Sequence, residues 1–563
     1  MSSVYDSFRL AESEEGPDTP DFSMAEKNVI DINDNNGASY AGGQITFDLN
    51  QLVSSESFLD WSSSYITIPV QFKIQGLAPC LLVADQSNLF AMCFKGSNYS
   101  LINSINLTCS NQQLVGNTQL SNIPIEYKLL TSFNSTDVDI RGATIGFQKN
   151  NSRTFGFSNA AGEVNNFVGA GTFASGTTAP TLALPVGNKN DGMKTKLTKQ
   201  AVSSTDPVIT AFCPVATLQS NRTNLCYVDP ADAVNTAAGT NCITYQCFVQ
   251  LKMEHLHDIF KKMPLCRGAL WQLVISTHLP ATYVGTIASS AANTVNQATP
   301  VSTTTLNQFT PFMISTVGPT VGQNGLLSTV TTTSNWTYSA QIGFTNNTVC
   351  TMHATTYKLS PLVADRYMKD PRKRIVFEDY IRAMPASMQG IASFGPVQAN
   401  ISPGQSKVRG LLIVPYLAQV SGGNGTSGIM SALQSPLTSC GATVTPYAYF
   451  DNFNVMVGGR PIFPKNIAYR YDNFMREQFG INAPNGNGVW ATNSGLIDAD
   501  DFNAGYGYVY VNLERHLRSS DELPVSVDVS FTNVSAKTMS YVTYLFFEKE
   551  FALDCTNGKI LTV

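Results

Sequence analysis

Charge is the scarcest property of this chain. Asp, Glu, Lys and Arg make up 13% of its 563 residues, about half of the roughly 25% usual in soluble domains. Strong helix formers such as Glu and Lys are correspondingly few. The formal net charge of −5 argues against direct nucleic-acid binding, which calls for a basic face or arm. Long apolar runs are also missing. No stretch reaches the ~18 residues of a membrane span. The nearest, Gly410 to Val420, is interrupted by Pro415 and Gln419 and reads as a buried strand. Residues 1–30 hold no apolar core of a secretory signal, so the expectation is a protein that is not secreted. Regular cysteine spacing is absent as well. The 11 cysteines are odd in number and read mostly as free, buried thiols made in a reducing compartment. Triplets of the N-x-S/T type at Asn98, Asn106, Asn134, Asn221, Asn335, Asn424 and Asn533 are then expected to stay unmodified.

What replaces charge is Ser, Thr, Asn and Gly, the residues of strands, turns and long surface loops. Apolar residues still reach 43%, enough for a large core. Near the start, Ile66, Ile68, Val70, Phe72 and Ile74 alternate with Thr67, Pro69, Gln71 and Lys73. Near the end, Val525, Val527, Val529 and Phe531 alternate with Ser526, Asp528, Ser530 and Thr532. Successive strand residues face opposite sides, so both patterns describe half-buried antiparallel strands. Two separated β regions with little long helix between them predict two β-sandwiches in series.

Residues 1–38, acidic and poor in apolar side chains, read as an extended arm. Residues 39–370 form the first β domain, with polar insertions at about 150–240 and 280–340 expected as outward loops. Residues 371–563 form the second, beginning after a charged junction from Asp365 to Arg374. Predicted strands include 101–107, 124–130, 243–251, 269–276, 351–359, 406–414, 447–457, 506–513 and 541–547. Two short helices are predicted. Glu254–Met263 carries Leu256, Ile259, Phe260 and Met263 on one face. Ile467–Phe479 precedes Gly480, which stands where a C-cap glycine belongs.

Nothing in the sequence composes a catalytic constellation. His255 and His257 are two of only five histidines, and on a helix i and i+2 face apart, so they cannot share a metal. Asp498, Asp500, Asp501 and Asn503 miss the spacing, the glycine and the closing glutamate of a calcium loop. Gly187 to Gly192 is separated by Met193 from Lys194, so it fails as a phosphate loop. There is no G-x-S-x-G elbow. Paired carboxylates for glycoside hydrolysis depend on three-dimensional separation, which sequence does not give. Tyr506, Tyr508 and Tyr510 share one strand face and read as core or interface packing. No catalytic, cofactor-binding or metal-binding residue is assigned, and no cofactor is expected.

Four stretches carry a family resemblance: Gln44–Leu49 with Ser64–Val70; Ser100–Leu107 with Asn111–Leu114; Val249 through Leu256–Phe260 to Ser276; and Phe453–Pro464 with the helix that follows. In pattern, order and length they resemble the double-jelly-roll major capsid proteins of tailless icosahedral DNA viruses, the virophage, Polinton-like and adenovirus-like lineage. The resemblance implies an all-β chain of two tandem eight-stranded antiparallel jelly rolls. It implies a structural protein rather than an enzyme, located in the virion and made in the host cytoplasm or nucleus. Its implied partners are two further copies in a homotrimer of pseudo-hexagonal outline, neighbouring capsomers, minor capsid or penton proteins, and an internal membrane. No direct contact with the genome is expected. The alternative from the residues alone is a secreted or surface β-sandwich that binds glycans, favoured by the sequons and the aromatic stripes.

Overall fold

A computed structural model describes residues 24–52, 56–76, 90–94, 96–147, 226–228, 242–289, 295–300, 312–316, 334–344, 348–401, 404–417, 448–479, 495–499, 502, 506–515, 523–535, 538–555 and 558–561. The chain is all-β, a double jelly roll, and its helices are short.

The first roll is built from β1 (Met24–Asn33), β2 (Gln44–Asp48), β3 (Phe58–Gly76), β4 (Ile102–Cys109), β5 (Gln112–Val115), β6 (Cys242–Lys252), β7 (Trp271–Thr277) and β8 (Thr351–Leu359). One sheet runs β1-β8-β3-β6 and the other β2-β7-β4-β5. The second roll uses β9 (Arg372–Ala383), β10 (Pro396–Ile401), β11 (Val408–Leu417), β12 (Phe450–Val457), β13 (Ile467–Tyr469), β14 (Val509–Asn512), β15 (Val527–Asn533) and β16 (Met539–Asp554). Its sheets run β9-β16-β11-β14 and β10-β15-β12-β13. The two orders are the same permutation shifted by eight strands, and every pairing is antiparallel.

The alternation read from the sequence decides which face is inside. On β3, Ile66, Ile68, Val70 and Phe72 are buried while Thr67, Gln71 and Lys73 are half-exposed. They face Ile45 and Phe47 of β2, Ile105 and Leu107 of β4 and Leu273 and Ile275 of β7 within one core. On β15, Val527, Val529 and Phe531 are buried, and the Phe531 ring stacks on Phe450 of β12 at 4.0 Å. Each such side chain contributes about 1.5–3 kcal/mol on leaving water.

Several segments differ from the sequence reading. Residues 24–33, taken as part of the arm, are the edge strand β1, whose order comes from pairing Met24–Asn33 with β8 more than 300 residues away; from 25 to 33 only Ile32 is buried, too little to signal a strand locally. The predicted strand at 124–130 is helix α1 (Asn122–Ser132). Eight of its residues are buried, around most of its circumference, so it shows no amphipathic stripe, and a short apolar run does not distinguish helix from strand. A second helix, α2 (Ser135–Arg141), starts on a reciprocal cap between Asn134 and Asp137. The predicted helix at 254–263 is two pieces, α3 (Met253–Leu256) and α4 (Asp258–Lys262), broken where His257 is extended at φ −158° and ψ 146°. The charged junction is helix α5 (Pro361–Lys369) running into β9. The predicted helix at 467–479 is strand β13 followed by α6 (Tyr471–Phe479), and Gly480 lies outside the described residues. Within the insertion at 280–340, Ala281–Ser289 and Ser334–Ile342 are strands, and the latter extends the first sheet by pairing with Val70–Gly76 of β3. Of the insertion at 150–240, the described part is the short strand Cys226–Val228, paired with β6.

Candidate functional site

The geometry that sets this chain apart from two tethered domains is the seam between its rolls. From the first roll come α1, the loop before it, and the α3–α4 pair. From the second come β9, β16, β14 and α6. A continuous buried core crosses between them.

The seam is polar as well as apolar. His257 caps α4, its Nδ1 accepting from Ile259 N at 3.3 Å. That leaves the proton of the neutral ring on Nε2, which donates to Oδ1 of Asp379 on β9 at 3.3 Å. Lys549 of β16 lies 3.6 Å from the other oxygen of Asp379 and donates to Leu114 O at 2.7 Å. Burial pushes the Asp379 carboxyl up, but the hydrogen bonds from His257 and Tyr380 N and the Lys549 ammonium hold it below its ordinary value. One residue on, Asp258 accepts from Glu378 N at 3.0 Å and pairs with Lys262 at 3.0 Å. Lys128 of α1 pairs with Glu378 at 2.9 Å and sits over the Phe546 ring. Burial lowers the Lys128 ammonium, yet Glu378 and Asp258 raise it further, so it stays charged.

Tyrosines fill the rest. Tyr127 packs its ring against Tyr508 at 5.2 Å and Tyr510 at 5.9 Å, and donates to Gln478 of α6 at 2.6 Å. The stripe of Tyr506, Tyr508 and Tyr510 is fully buried, which is the packing role expected of it. Tyr544 Oη donates to Leu120 O at 2.9 Å. At the far end of β16 the chain returns to the first roll, where Cys109 Sγ and Ser110 Oγ donate to Gly558 O at 3.2 and 3.1 Å.

A cleft of about 350 Å³ opens beside the seam, lined among others by Lys128, Glu254, His255, Lys261, Glu378 and Gln478. Of its carboxylates, Glu378 is paired with Lys128 and Asp258 with Lys262, while Glu254 faces the His255 ring at 3.5 Å. Burial lowers His255 to about 4, so the imidazole is neutral near neutral pH. Among the described residues no group of three His, Cys, Asp or Glu side chains is close enough to hold a metal.

The sequence placed no functional residue here, and what it singled out is dispersed. His255 and His257 are separated by the helix break, one lining the cleft and the other bonded across the seam. His353 stacks on Tyr65 at 4.4 Å and hydrogen-bonds Asp31 at 2.6 Å. His278 is half-buried, and loss of water around its ring lowers it to about 4. Among Asp498, Asp500, Asp501 and Asn503, only Asp498 is described, its carbonyl accepting from Phe502 N at 2.9 Å; the rest, His516 and the Gly187–Gly192 stretch lie outside the described residues. Asn533, in one of the sequons, is fully buried and donates to Ile391 O and Ala392 O at 3.1 Å. Cys109, Cys266, Cys350 and Cys555 are free thiols.

No protein-family model matches the chain, and no curated protein matches it in sequence. Solved structures are similar over nearly its full length. A chain of the Sputnik virophage, solved by cryo-EM at 3.5 Å, is 12% identical, with 98% of this chain and 91% of that chain covered and a TM-score of 0.50. The mavirus major capsid protein is 9% identical over 100% of this chain and 94% of its own, with a TM-score of 0.44. The Faustovirus major capsid protein is 11% identical over 96% and 92%, with a TM-score of 0.40. At 12% identity the likeness to the virophage chain is one of fold, and that fold is the double jelly roll.

Proposed function

We propose that this chain is the major capsid protein of a tailless icosahedral DNA virus, a shell-building protein without catalytic role. The observation that carries the reading is the virophage likeness, which spans 98% of the chain and so takes in both rolls together. The seam supports it physically. A pair of rolls locked by a shared core and by buried hydrogen bonds is a rigid block, and three such blocks around a three-fold axis present six rolls, a pseudo-hexagon that tiles a shell. Apolar side chains left on the surface, among them Ile140, Leu270 and Phe394 at 71%, 51% and 71% exposure, suit contacts between copies or capsomers. With a net charge of −5, neutralisation of the genome falls to a separate basic protein or an enclosing membrane, and the protein resides in the virion.

The test is the mass of the purified chain by light scattering, followed by negative-stain imaging. Hexagonal particles of three copies are expected. A stable monomer that forms no lattice at high concentration overturns the reading, and glycan binding by that monomer would support a surface adhesin instead.

A further inference from the structure

Helix α5 joins the two rolls and has no buried residue. Its inner side, Val363, Ala364, Tyr367 and Met368, rests on Phe58, Leu265 and Leu359, and Tyr367 Oη donates to Leu265 O at 2.7 Å. Its outer side follows the i, i+4, i+7 spacing of one helix face: Leu362, 59% exposed, then Arg366 and Lys369, both exposed. Beyond the helix, Arg372 and Arg374 are exposed too. Arg374 is held by both oxygens of Glu550, whereas Lys369 meets Asp365 at 4.0 Å, with both side chains mostly in solvent. From 361 to 374 the side chains sum to +3: Arg366, Lys369, Arg372, Lys373 and Arg374 against Asp365 and Asp370. A leucine flanked by cations fits an acidic segment that carries an apolar side chain.

The chain supplies one. Residues 1–23 hold Asp6, Glu12, Glu14, Glu15, Asp18 and Asp21 against Arg9, a side-chain charge of −5, together with Phe8, Leu10 and Phe22. This segment joins β1 at Met24, and Met24 is the residue paired with Leu359, two positions before α5 begins. At about 3.3 Å per extended residue, Asp21 and Phe22 are tethered within about 10 Å of Met24, the strand partner of Leu359. Leu362 and Arg366 occupy the first two turns of α5, at 1.5 Å rise per residue. Tether length and charge therefore point to the same surface.

We propose that residues 1–23 dock in cis on the outer side of α5, Phe22 against Leu362 and Asp18 and Asp21 against Arg366 and Lys369. The contact is between exposed charges and is screened by salt, since the Debye length falls from ~8 Å at physiological ionic strength to ~3 Å at 1 M.

The experiment is zero-length carbodiimide cross-linking of the full chain at low salt, with linked peptides identified by mass spectrometry. Links from Asp18 or Asp21 to Lys369 are expected, reduced several-fold at 1 M salt and in Arg366→Glu; an unchanged unfolding midpoint confirms that this variant is folded. Absence of the link while Lys369 still reacts with a small acylating reagent overturns the proposal. A second arm co-expresses Lys369→Arg with Asp18→Asn/Asp21→Asn, so that only two different copies can form the link. No link is expected from this pair; its appearance assigns the surface to the segment of a second copy and overturns docking in cis.

Discussion

His257 of the first roll and Asp379 of the second share a hydrogen bond of 3.3 Å, with side chains only 1% and 9% exposed. The two residues stand 122 positions apart, and the bond exists only when both rolls are in place. Removing the carboxylate leaves the buried His257 N–H without its acceptor, at a cost of about 1–3 kcal/mol, while Lys549 keeps its bond to Leu114 O. Asp379→Ala is expected to lower the urea midpoint accordingly, while Asp379→Asn, which keeps an acceptor for His257, loses less. Equal midpoints for wild type and Asp379→Ala would remove the pair from the account of the seam.

Stability is expected to fall as pH drops below neutrality. Burial lowers His255 and His278 to about 4, from an ordinary 6.5. Between those values the unfolded chain takes up protons that the folded chain refuses, so each histidine removes about 1.4 kcal/mol per pH unit from 6.5 down to 4. Asp258 and Asp379, held below their ordinary values, contribute fully above the carboxylate range and are lost beneath it, which adds to the slope only at the acid end. Melting temperatures from pH 7 to 4.5 should decline, and His278→Gln should decline less steeply. A flat profile in the wild type would contradict the desolvation of both rings.

Two buried tyrosines on β16 offer a matched comparison. Tyr544 Oη bridges the rolls through Leu120 O, while Tyr541 Oη meets no hydrogen-bond partner among the described residues. Tyr544→Phe is expected to cost about 1 kcal/mol, and Tyr541→Phe to be neutral or stabilising, because it removes a buried unsatisfied hydroxyl. Chemical denaturation of both variants decides it; a larger loss in Tyr541→Phe would reverse the assignment.

Gly558 adopts φ +65°, and a Cβ there would overlap Ala269 of the first roll. Gly459 adopts φ +78° with open space around it. Both alanine variants carry the left-handed strain of about 1–2 kcal/mol, but only Gly558→Ala must also push the chain end off the first roll. Limited proteolysis near the C-terminus is expected to accelerate in Gly558→Ala and not in Gly459→Ala. Equal cleavage rates would mean that the contact with Ala269 does not hold the end in place.

Period-two alternation is a local property, so Ile66 to Phe72 and Val527 to Phe531 declared their strands and their inner faces without reference to anything distant. The helical spacing of Leu256, Ile259, Phe260 and Met263 likewise gave the buried face, although the break at His257 escaped notice because it depends on a side chain capping the next turn. Helix α1 reads as a strand in sequence because it is buried on nearly every side, and burial from all directions erases the period that identifies a helix. The polar seam was illegible for a different reason: His257, Asp258 and Lys128 find Asp379 and Glu378 only across two folded domains.

By itself, then, the sequence determined the all-β class, the two-part division and the inward faces of the strands, because backbone geometry imposes a two-residue period wherever a strand has one wet and one dry side. Only the tertiary structure decided the repeated strand order of the two rolls, the capture of β1 by β8 and the seam that makes one block of two domains. Those depend on pairings between residues tens to hundreds of positions apart, whose free energy arises when distant surfaces leave water together.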